Sequence, residues 1–174
     1  MPDNYRLRGT LLCAIATAVL ASAASVAENV ADGDAREVAS YVLTDAGLAK
    51  YTQAVRNLAP LAKRLSDACK ADDNSDEVRS LNDMVARFDA VPGVRAAIKS
   101  AGLTTREYFV FTFSVFQNGM VAWALDQPGG KLPPGTSMAN VKFYRAHEAA
   151  IKKLAEQTKA ADCERSDSEN DAEE

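Results

Sequence analysis

From Thr44 onward the chain alternates between apolar seams at helical spacing and short polar breaks. Leu48, Tyr51, Val55, Leu58, Ala62, Leu65 and Cys69 step by three and four residues, the pattern of a helix packed on one face. Thr44 is placed to cap this helix, which begins at Asp45. Pro60 should kink it or split it in two. The polar stretch 71–77 reads as a loop. Ser80, with Asp83 three residues on, makes a start resembling a capping box for a short helix through Leu81, Met84, Val85, Phe88 and Val91. Pro92-Gly93 bends the chain, and another short helix ends at Gly102. Thr104 caps a central helix from Thr105 to about Gln127. No regular element can cross the segment PGGKLPPGTS at 128–137. Ser137 or Asn140 starts a last helix that reaches about Ala161, with Val141, Tyr144, His147, Ile151, Leu154 and Ala161 along one face. No period-two strand pattern competes, so the pattern predicts an all-α fold, a single bundle of four to six helices over residues 43–163, preceded by a linker at 28–42.

The central helix stands apart. Eighteen residues between Glu107 and Asp126 carry no charge, and apolar side chains fall on every side of it. Such a helix is either the middle of a bundle or a membrane span. Thr112, Ser114, Gln117 and Asn118 argue for the bundle, because adjacent amides at mid-bilayer are costly without partners. The expectation is a buried centre and no stable span in the mature chain. Buried amides need hydrogen-bond partners or cost about 1–3 kcal/mol each. Gln117 and Asn118 are therefore candidates either for satisfied packing or for a polar ligand pocket, with Tyr144 and His147 across from them.

The N-terminus follows a different rule. Arg6 and Arg8 precede an apolar run of ten residues, Leu11 to Leu20, too short for a stable bilayer span. Small residues then suit cleavage after Ala23 or after Ala27. This is the pattern of a bacterial secretory signal peptide, residues 1–27, implying a periplasmic or secreted protein. Cys13 lies inside the apolar run rather than after it, which argues against a lipid anchor.

Charge and cysteine content narrow the classes. Without residues 1–27 the chain keeps 147 residues, 18 basic and 23 acidic, and that balance gives no reason to expect nucleic acid. Much of the acidity lies in Glu164 to Glu174, too polar to bury surface and expected to be a disordered tail. Cys69 and Cys163 remain. In an oxidising envelope such a pair is expected to form a disulfide, closing a loop of roughly 95 residues worth about 4–5 kcal/mol on the chain-entropy model.

Candidate chemistry is sparse. There is no GxSxG elbow, glycine-rich phosphate loop, HExxH or CxxCH, and one histidine makes no zinc constellation. His147 lies on the last helix's apolar seam, where a core histidine is the ordinary reading. An unrecognised enzyme would centre on His147 and Arg145, and a haem bundle would pair His147 with Met84 or Met120. No cofactor or metal is expected.

The segments SLNDMVARFDAVPGVRAAIKSAGLTTREYFVFTF and ANVKFYRAHEAAIKKL resemble a group of small, largely uncharacterised exported bacterial proteins. Their pattern pairs an AGLT-x-REY helix start, here Ala101–Tyr108, with an NV-x-F-x-R-x-H helix at Asn140, Val141, Phe143, Arg145 and His147. The resemblance covers roughly residues 80–155. It implies one exported helical domain and brings no activity with it. It also marks Arg106, Tyr108, Asn140 and Arg145 as a candidate polar cluster, whose ordinary role is capping and interhelical hydrogen bonding. The function expected is a non-enzymatic envelope module that binds a protein partner or a small, partly apolar ligand.

Overall fold

The computed structural model describes residues 33–71 and 80–158, and all regular structure among them is helical. Capping chemistry sets most of the helix starts. Before α2 (Asp45–Leu58), the Thr44 hydroxyl accepts the Gly47 N–H at 3.1 Å, satisfying one of the donors a helix start leaves free. Pro60 splits the seam as its missing N–H requires: a tight turn at Ala59–Leu61 separates α2 from α3 (Ala62–Ala71). Ser80 caps α4 (Leu81–Ala90) through the Asp83 N–H at 3.1 Å. Gly93, at φ +94°, turns the chain into α5 (Val94–Ser100) in a left-handed conformation that costs glycine little. Thr104 and Glu107 form a full capping box at the head of α6 (Thr105–Leu125). Ser137 then precedes α7 (Met138–Thr158), with its hydroxyl 3.4 Å from the Asn140 N–H.

Residues 33–40, within the stretch expected to be a linker, are helical instead (α1). Tertiary contacts explain what local pattern did not. Asp34 and Glu37 both pair with Arg106 at the head of α6, Asp34 at 2.8 Å. The second Asp34 oxygen accepts the Leu81 N–H at 2.7 Å. The Val38 carbonyl accepts the Ser114 hydroxyl at 2.8 Å. This helix is short, and acids matched to a distant arginine hold it in place.

α6 packs against α2, α4, α5 and α7. The main core lies where α2, α5 and the first half of α6 meet, with Ala54, Val94, Ile98 and Phe111 wholly buried. Burying each large side chain there contributes about 1.5–3 kcal/mol. Tyr51 stacks on Phe111 and Tyr108 at centroid distances of 4.7 and 5.1 Å, and Phe88 meets Phe109 edge-on at 5.1 Å. A smaller cluster of Val121, Ala122 and Val141 holds the second half of α6 to α7.

The expectation that α6 is covered on all sides fails in that second half. Phe116, Met120 and Trp123 are 65%, 56% and 67% exposed. Helices α4 and α5 meet α6 only near its start, and among the described residues nothing lies over this face. By length and composition alone α6 could cross a membrane, although its first half is occupied by core packing.

Candidate functional site

Phe116, Met120 and Trp123 recur at four and three residues, so they share one helix face with Thr112 one turn earlier. Tyr144, Ile151 and Leu154 of α7 stand opposite, and Tyr51 of α2 closes one end. Together they bound an open groove of about 600 Å³, within the size range of small-molecule sites. Gly119 forms part of its floor. A Cβ there would lie 2.8 Å from the Tyr144 Cζ, so the missing side chain is what lets the tyrosine ring rest against α6.

The groove is apolar with a few polar points. Tyr51 and Thr112 line it and also a second cavity of about 170 Å³, which runs toward Leu65, Phe88 and Phe109. The Thr112 hydroxyl donates to the Tyr108 carbonyl at 2.8 Å, with the Tyr51 hydroxyl 3.4 Å away. Among the described residues Lys152 is the one charged side chain on the lining of the larger groove. Its Nζ is 2.7 Å from a Glu148 carboxylate oxygen, an exposed pair that raises the ammonium's pKa, first through the hydrogen bond and then through the charge.

Of the residues the sequence marked for a pocket, only Tyr144 lines this groove. Asn118 is 4% exposed, and its Nδ2 donates to the Ser114 carbonyl at 2.8 Å on the side of α6 whose Ser114 reaches α1. Its Oδ1 and the Gln117 Oε1 are buried without a hydrogen-bond partner among the described residues. His147 is turned to α2 instead: Nε2 is 2.9 Å from Asp45 Oδ1, and the ring lies 4.3 Å from that of Phe143. The Met120 that a haem bundle would have recruited lines the groove, whereas His147 does not.

The resemblance-marked residues are dispersed as well. Arg106 donates to Asp34, Glu37 and, at 2.7 Å, Asn82; its hydrogen bonds to Glu37 and then to Asp34 raise its pKa against the opposing effect of burial. Tyr108 is buried in the aromatic stack. Asn140 clamps backbone: Oδ1 accepts the Leu43 N–H at 3.0 Å and Nδ2 donates to the Tyr41 carbonyl at 2.7 Å. Arg145 donates to the Ala122 carbonyl at 3.2 Å and to Asp126 at 2.5 Å, serving the C-terminal end of α6. These are capping and interhelical roles, at separate points of the fold. The Cys163 partner and the Cys69 side chain lie outside what is described, as do residues 1–27 and the acidic tail.

No family model matches the chain, and no curated protein or solved structure matches it.

The sequence reading missed Phe116, Met120, Trp123, Gly119 and Lys152 as groove residues. Their spacing was visible, but a helix apolar all round gives no sign of which face its neighbours leave open.

Proposed function

We propose that this protein is an exported, non-enzymatic binding module that holds a small, partly apolar ligand in the groove between α2, α6 and α7. The groove itself carries the reading: about 600 Å³ of mostly apolar space beside three exposed large side chains on one helix face. Contiguous exposed apolar surface of this kind usually marks a binding site. The engagement of His147 with Asp45 and Phe143 favours a tethering role over a catalytic one. The signal-peptide pattern supports a periplasmic or secreted location and membership of the exported helical group that the two motifs resemble. That compartment in turn supports a Cys69–Cys163 disulfide.

Native mass spectrometry of the protein purified gently from a bacterial envelope tests the reading. A small added mass that disappears on denaturation is expected. Loss of that mass in Trp123→Ala would place the ligand in the groove, and its retention would place it elsewhere. The added mass of a whole polypeptide would instead favour the protein-partner reading of the same face. The denatured, unreduced mass also reports the cleavage site and the two hydrogens lost to a disulfide. Two reactive thiols in that sample would rule the disulfide out.

A further inference from the structure

We infer that the ligand is a single-chain amphiphile with an anionic carboxylate head, its head at Lys152 and its tail along α6. This rests on the groove being the binding site. Two features of the lining select that chemistry. First, among the described residues Lys152 is the sole charged side chain on a mostly apolar wall, and no carboxylate lines it. The nearest carboxylate, Glu148, stands one turn away and is already paired with Lys152, so a cationic head would have to displace the ammonium, whereas a carboxylate head can take that ammonium over from Glu148. Second, the site is long. The smaller cavity adjoins the larger groove at Tyr51 and Thr112. From Thr112 to Trp123 the larger groove alone follows α6 for about 16 Å at 1.5 Å per residue. A compact ligand would leave most of that path empty; an extended chain covers it.

The chain's single tryptophan is Trp123, which sits two-thirds exposed on the groove wall. Its emission therefore reports occupancy without a label. The full mature chain would be titrated below micelle concentrations with decanoate, dodecanoate and tetradecanoate, and with dodecanol and dodecyltrimethylammonium. We expect a saturable blue shift, and each added methylene should tighten binding about 3- to 4-fold until the path is filled. Dodecanoate should bind about 3- to 5-fold more tightly than dodecanol, the size of an exposed ion pair, and the ammonium more weakly than either. Lys152→Gln should abolish the preference for carboxylate over alcohol.

Equal binding of carboxylate and alcohol, or a preference that survives Lys152→Gln, overturns the anionic head while leaving the groove as the site. Affinity that is independent of chain length overturns the extended tail. Absence of binding by every amphiphile, or a blue shift that follows protein concentration alone, overturns the groove reading itself; the latter would mean that a second copy covers the face.

Discussion

The first half of α6 presents Tyr108, Phe109, Phe111 and Phe113, and the second half presents Phe116, Met120 and Trp123. By composition the two are alike. Helices α2, α4 and α5 close over the first, so that Phe111 is wholly buried between Tyr51 and Tyr41. Among the described residues α7 holds the second, through Val121, Ala122 and Val141, and Phe116, Met120 and Trp123 are left exposed. A run of aromatic residues is thus core at one end and binding surface at the other. The difference comes from which helices reach each end, since burial is a property of neighbours as much as of side chains.

Several substitutions would break or sharpen this contrast. The largest effect is expected at Phe111→Ala, about 3–5 kcal/mol in chemical denaturation, because a ring-sized cavity opens in close-packed core. A loss below 1 kcal/mol would mean that the first half is not the sealed core described here. Next, Asn140→Ala strands the buried Leu43 N–H and Tyr41 carbonyl together, for an expected loss of about 2–4 kcal/mol. Hydrogen exchange should rise around residues 41–43 if the amide is the clamp, and an unchanged pattern would remove that role.

Asp89 anchors the head of the first half. Burial alone would raise its pKa, but hydrogen bonds from Arg95 and from Thr105, at 2.5 Å, together with the Arg95 charge, hold it below the usual carboxylate value. Its contribution to stability is therefore fully present above about pH 4, the unfolded carboxyl's range, and is lost as the pH falls through the lower folded value. Asp89→Asn should cost about 1–2 kcal/mol at neutral pH and flatten the acid side of the stability profile. An acid limb as steep as in the unsubstituted protein would assign the effect to other groups. The smallest change is expected in the second half: Phe116→Ala or Trp123→Ala should shift stability by less than about 0.5 kcal/mol, as exposed positions do. A cost approaching that of Phe111→Ala would show that something covers the groove in solution.

Legibility followed the range of the interactions involved. The caps at Thr44, Ser80 and Thr104, the break at Pro60 and the turn at Pro92-Gly93 are written within a few residues, and the helices start and stop where those signals stand. Of the four residues singled out for a pocket, Tyr144 lines the groove and Gln117, Asn118 and His147 do not. A residue's own helix shows its period and chemistry, while its surroundings depend on a second helix. Of the candidate polar cluster, Arg106, Asn140 and Arg145 bind at separate points of the fold and Tyr108 lies in the aromatic stack.

What the sequence by itself determined is the all-α class and most helix boundaries, because capping bonds, proline's missing N–H and the 3.6-residue period act locally. Tertiary structure alone decided three further matters. It made a helix of residues 33–40, through acids matched to Arg106 some 70 residues away. It set the Tyr144 ring against Gly119. Among the described residues it left Phe116, Met120 and Trp123 on α6 uncovered. Each depends on side chains that meet only after the chain has returned on itself, and no local pattern encodes which of them will meet.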